Sequence, residues 1–185
     1  MPANKSASHA RIQQPFGHLQ PVRIGLSAET RHKSVQALNR LLAHSMALRD
    51  LYKKAHWQTS GAVFYALHLM FDKHYEAQLE LIDSLAERVQ LLGGVALATA
   101  QDVVQESRIA RVPRGAEAPA EQLQGLLDAH ELLLTEARPL AREAAEHGDD
   151  GTNDIIVSDV IRTNELQAWF VGEHLAGTSR LSRNE

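Results

Sequence analysis

The stretch "ALHLMFDKHYEAQLELIDSLAERVQ", residues 66–90, reads as one unbroken helix, and it also carries His68, Asp72, Glu76, Glu80, Asp83 and Glu87. With Asp72 at zero and ~100° per residue, His68 falls near −40°, Asp83 near +20°, Glu76 near +40° and Glu87 near +60°. These five polar side chains share an arc of ~100° beside an apolar flank of Leu67, Phe71, Ile82 and Leu85. A solvated face is the plain alternative, and Glu76 and Glu80 fit it. The axial spacing of the others argues for more. His68 and Asp72 are one turn apart, and so are Asp83 and Glu87, but ~16 Å of helix separates Asp72 from Asp83.

Ligands of a metal pair lie ~2 Å from metals that are themselves ~3.5–4 Å apart, so one helix cannot close one site with both pairs. Two antiparallel copies can. Crossed by a two-fold axis, the His68/Asp72 turn of one chain meets the Asp83/Glu87 turn of the other, and symmetry makes two such sites per dimer. A further nitrogen ligand is at hand in "KKAHWQTSG", where His56 precedes Trp57 close to the point at which the preceding helix turns into this one. Nitrogen and carboxylate oxygen suit Fe(II), Mn(II) or Zn(II), and a set poor in nitrogen fits iron taken up for oxidation.

The rest of the composition narrows the choices. The chain has 185 residues, 44% of them hydrophobic and 23% charged, as expected of one globular domain. With no cysteine there is no disulfide, no thiolate nucleophile and no cysteine-held metal. Any metal must be held by histidine and carboxylate. No apolar run approaches a membrane span, and "MPANKSASHARIQQPFGHLQ" lacks the apolar core of a secretory signal, so the expected location is cytoplasmic. The net charge of −4 is uneven: residues 1–28 hold Lys5, Arg11 and Arg23 and no acid, which leaves −7 for the remainder.

Residues 1–26, with three prolines, two glycines and no helical period, are expected to form a flexible, mildly basic arm. A first long helix is expected from Ala28, capped by Ser27, to Thr59, and a second from Ala62 to Leu92, ended by Gly93-Gly94. A link of ~25 residues follows, with "ATAQDVVQES" able to make a short helix; that length suits a crossover along a bundle. Pro119 opens a third helix that runs to His147 with Pro139 inside it, and Thr152–Ala176 makes the fourth. The expected fold is all-α: a ferritin-like four-helix bundle over 27–177, ordered up-down-down-up, with a short tail at 178–185.

The segment from His56 to Gly94 resembles the ferroxidase segment of the Dps family, the DNA-binding proteins from starved cells or mini-ferritins. The likeness rests on His56-x11-His68-x3-Asp72-x10-Asp83-x3-Glu87, on Trp57 after the first histidine and on the closing glycine pair. Within this segment no Glu-x-x-His occurs, which sets it apart from the larger ferritins. The resemblance implies a dodecameric shell built from dimers, each with two intersubunit two-iron sites. There Fe(II) is oxidised, preferably by hydrogen peroxide, and stored as ferric mineral, protecting against oxidative damage. It implies that His56, His68, Asp72 and Glu87 are ligands, with Asp83 a weaker ligand or a hydrogen-bonding neighbour of one; zinc or manganese could substitute. Trp57 and Tyr52 are candidates to take up stray oxidising equivalents, with packing at the dimer interface the alternative. Lys53, one turn before His56, is placed to contact the site, but reads more simply as an exposed helix lysine. Acidic residues matching Asp150 and Asp154 line a three-fold pore in the family, although helix capping alone is a competing account of "GDDGTND". As a DNA-binding or nucleoid protein, the alternative reading, the chain has only Lys5 and Arg11 on its arm, helped by His9 and His18 at lower pH. Association with DNA is therefore expected to be weak at most.

Overall fold

The computed structural model describes the backbone of residues 12–181 and the side chains of residues 12–176. The candidate DNA contacts Lys5 and Arg11, with His9, lie outside the described residues. Four long helical stretches and one short helix make up the described chain: α1 Ala28–Gln58, α2 Phe64–Leu91, α3 Ala100–Glu106, α4 Pro119–Glu146, and a fourth stretch of three parts. Those parts are α5 Asp150–Asp154, a π-helical turn Ile155–Ile161, and α6 Arg162–Leu181. No described residue is in a strand.

Local chemistry explains the boundaries. Ser27 Oγ accepts the Thr30 amide at 3.0 Å and starts α1. Thr99 and Asp102 exchange hydrogen bonds as a capping box at the start of α3. After α2 the chain turns at Gly93 with φ of +80°, where an added Cβ would lie 2.5 Å from the Gln20 carbonyl; only glycine fits both the backbone angle and the space. That contact also anchors the segment before α1, because Gln20 N–H and Gln14 Nε2 both donate to the Gly93 carbonyl, at 2.8 and 2.9 Å. Residues 14–20 therefore lie against the body.

The long link follows α1 from one end to the other. Arg31 donates to Leu92 O at its start; Asn39 donates to Val95 O and accepts from Leu97 N–H, both at 3.0 Å. Further on, His44 meets Ser107 and Lys54 pairs with Glu117. The chain then returns along α4, whose far end reaches Lys33 and Ser34 through His147 and Asp149. Hence α4 runs antiparallel to α1 and parallel to α2, the crossover arrangement expected of this link length. The core between the four stretches is largely aliphatic and fully buried, with Leu38, Leu41, Leu48, Leu67, Phe71, Leu85, Leu123, Leu133 and Ile156 at its centre. The π-helical turn is a departure from the uniform fourth helix expected from periodicity. Its i→i+5 hydrogen bonds each span one residue more than those of an α-helix, just before Asn164, one of the buried polar groups of the core.

Candidate metal centre

His56, on the last turns of α1, and His68, on the second turn of α2, face each other where the two helices meet. Each imidazole Nδ1 lies at the other's backbone carbonyl, 2.9 and 3.0 Å away. A carbonyl can only accept, so both rings carry their proton on Nδ1. Nε2 of each is left with a free lone pair, the state in which histidine binds a metal. The rings stack at 3.7 Å between centroids and 23° between planes.

Asp72 lies one turn beyond His68. Its Oδ1 is 3.8 Å from His56 Nδ1 and accepts a 2.6 Å bond from Lys53 Nζ. That bond, with the Lys53 charge, holds the Asp72 carboxyl below the usual carboxylate range. Lys53 is accordingly not the exposed helix lysine expected from its position. It is half-buried, paired with Asp72, and rests 4.4 Å above the Tyr75 ring. The ammonium pairs the Asp72 carboxylate within the same chain.

Asp83 and Glu87 stand exposed further along α2 and do not join this group. Among the described residues of one chain, no three histidine, aspartate or glutamate side chains form a metal-holding group. The arc of α2 that carries His68, Asp72, Asp83 and Glu87 also carries Tyr65, Leu69 and Leu79, which are 72, 50 and 39% exposed. Large apolar side chains interleaved with unpaired carboxylates on one exposed helix face have the composition of an interface. Trp57, beside His56, is 72% exposed. Tyr52 is fully buried inside its own bundle, so packing at a dimer interface does not account for it.

The acidic run before the fourth stretch separates into two kinds. Asp149 is buried; it caps α5 through Thr152 N–H at 3.0 Å, accepts from Ser34 Oγ at 2.6 Å and pairs with Arg88 at 2.5 Å. Burial pushes its pKa up, yet the bonds from Ser34 and Thr152 and the Arg88 charge outweigh this and leave it below the ordinary value. Capping thus explains Asp149. Asp150 and Asp154 remain exposed, and Ser158 Oγ donates to Asp154 Oδ1 at 2.8 Å.

Sequence reasoning passed over a second histidine cluster, inside the bundle. Tyr52, His74, Gln78, His130, Asn164 and Gln167 are all buried and hydrogen-bonded to one another. The available signal was a histidine in an otherwise apolar stripe: His130 shares the buried face of α4 with Leu123, Leu126, Leu133 and Ala137.

A model of the ferritin-like domain family matches residues 35–181. An uncharacterized protein of Kitasatospora aureofaciens is 46% identical over 141 residues, which is 76% of this chain and 94% of its own. DpsC from Streptomyces coelicolor superposes with a TM-score of 0.88 at 53% identity, over 89% of this chain and 96% of that one. The Dps protein of Vibrio cholerae O1, described as a member of a broad superfamily of ferritin-like diiron-carboxylate proteins, superposes with a TM-score of 0.78 at 30% identity, over 83% and 96%.

Proposed function

Because the chain belongs to the Dps family of the ferritin-like superfamily, we propose that it is a ferroxidase and iron store. In this reading it oxidises Fe(II) at sites shared between two subunits of a dodecameric shell and keeps the ferric product inside. The observation that carries the reading is the half-exposed His56/His68/Asp72 turn, with Nε2 of both histidines free, Asp72 3.8 Å from His56 Nδ1, and a face of α2 dressed for contact.

Iron is the substrate here. His56 and His68 hold an arriving ferrous ion through Nε2, and their Nδ1–H bonds to backbone carbonyls fix both rings so that no reorientation is needed. Asp72 supplies negative charge once Lys53 swings away. Asp83 and Glu87 of a second subunit complete the set, with Glu87 a ligand and Asp83 a weaker ligand or a hydrogen-bond acceptor next to one. Hydrogen peroxide is the favoured oxidant. Two ferrous ions give up one electron each, the O–O bond breaks, and two hydroxides and two ferric ions result, so no hydroxyl radical is released. Zinc or manganese would fit the same donors.

Asp150 and Asp154 repeated around a three-fold axis would form a negative entrance that concentrates Fe(II). Among the described residues no helix is long and apolar enough to cross a membrane. DNA association would rest on Lys5 and Arg11 of the arm and is expected to be weak and salt-sensitive. An anaerobic ferrous titration followed by peroxide tests the main reading. Consumption of one peroxide per two Fe(II), without spin-trapped hydroxyl radical, is expected. Slow oxidation at the rate of iron in buffer would overturn it.

A further inference from the structure

The partners inside the bundle fix the proton on each buried ring. Asn164 Nδ2 donates to Val160 O at 2.7 Å, and Gln78 Nε2 donates to Asn164 Oδ1 at 3.1 Å, so Oδ1 is the acceptor facing His130 Nδ1 at 2.9 Å. His130 Nδ1 must carry the hydrogen, and Nε2 is the bare nitrogen. Tyr52 Oη is 2.5 Å from that nitrogen and therefore donates to it. With its own proton committed, the Tyr52 oxygen accepts from His74 Nδ1–H at 3.2 Å. A buried phenol is thus aimed at a neutral base whose far side is already held by an acceptor.

We propose that Tyr52 and His130 form a proton-coupled redox pair that holds one oxidising equivalent as a neutral tyrosyl radical. A strong one-electron oxidant of the hydroxyl-radical class, or a ruthenium(III) complex, takes one electron from the phenol and is reduced. The phenolic O–H bond breaks and its proton passes to His130 Nε2, so His130 becomes an imidazolium with its other N–H still bonded to Asn164. When a reductant returns the electron, the proton goes back to the phenolate oxygen.

Burial decides why the two steps are coupled. It pushes the Tyr52 hydroxyl well above its ordinary pKa, so loss of a proton alone is closed. Burial also lowers His130 to about 3, helped by the nearby His74 and opposed by Asn164, so the imidazole stays unprotonated and ready to accept. The same burial makes the imidazolium costly and favours return of the proton after reduction. A path for the electron is present. Trp169 is 60% exposed, and successive ring centroids run from it to Phe170 at 5.1 Å, to His74 at 6.0 Å and to Tyr52 at 5.2 Å. On the other side Tyr52 lies 6.2 Å from Phe71, the residue before Asp72.

The test uses iron-free, full-length protein, so its outcome is independent of the ferroxidase reading. Tyrosine occurs three times, at Tyr52, Tyr65 and Tyr75, and the Tyr65→Phe/Tyr75→Phe protein leaves Tyr52 alone without touching the buried network. A flash-generated ruthenium(III) tris-bipyridine complex supplies the oxidant, and rapid freezing with electron paramagnetic resonance reads the product. A tyrosyl signal in this protein is expected, formed more slowly in deuterium oxide and bearing exchangeable deuterons hydrogen-bonded from His130 and His74. His130→Asn in the same background should lower its yield about tenfold. A tryptophan radical in place of the tyrosyl signal, a signal with no solvent isotope effect and no exchangeable deuteron, or an unchanged yield in the folded His130→Asn protein would overturn the proposal.

Discussion

Two pairs of histidines sit near each other in this bundle and are built for opposite purposes. His56 and His68 spend Nδ1 on backbone carbonyls and leave Nε2 free at a half-exposed turn beside Asp72. His74 and His130 are buried, and both nitrogens of His130 are committed to Tyr52 and Asn164. The residue type is the same in both places. What differs is the number of free lone pairs and the access of water, and these decide whether an imidazole can accept a metal ion or only a proton from a fixed neighbour.

The contrast is broken most severely by truncation. His130→Ala leaves a cavity and strips the Tyr52 hydroxyl of its acceptor, so it should cost about 3 kcal/mol or more of stability in urea unfolding. His56→Ala, at the edge of the bundle, should stay within about 1 kcal/mol of the parent protein while ferrous oxidation falls about 100-fold. Equal stability losses in the two variants would erase the distinction drawn here.

Acid should act on the interior pair. Burial, with the charges of Lys73 and His174, lowers His74 to about 4, and burial lowers His130 to about 3, both below the ordinary 6.5. Between those values and 6.5 the unfolded chain binds the extra protons, so stability is full above pH 6.5 and falls as the pH drops towards 4. The loss from pH 6.5 to pH 5 should be roughly 1–2 kcal/mol per histidine. It is read from urea midpoints across that range, and the slope should be shallower in His74→Gln. A smaller effect concerns iron entry: Asp150→Asn with Asp154→Asn should slow ferrous uptake about two- to fivefold at low salt, with the difference shrinking as ionic strength rises.

Periodicity and punctuation made the scaffold legible. Ser27, the glycine pair at 93–94, the link length and Pro119 each mark a boundary that is local in origin, and local signals survive folding. The uneven spacing of the candidate ligands on residues 66–90 was legible for the same reason, since helix geometry alone separates Asp72 from Asp83. The role of Lys53 was not, because its ion pair with Asp72 depends on how α1 and α2 meet, nineteen positions apart in sequence. The polar ring around Tyr52 joins four helical stretches, and no single stretch betrays it. The π-helical turn leaves no mark on hydrophobic spacing over so few residues. Asp149 differs from Asp150 through its cap on Thr152 and through Ser34 and Arg88, which come from other helices.

The central claim, that the catalytic set is divided between two chains, is tested most directly by mixing two crippled proteins. His68→Ala and Asp83→Ala are each expected to oxidise Fe(II) poorly. After joint dissociation and reassembly, one site of each mixed dimer regains all its ligands, so random pairing should restore about a quarter of the parent activity. Activity no higher than the average of the two variants, in shells shown to contain both chains, would contradict the account and return the site to a single subunit.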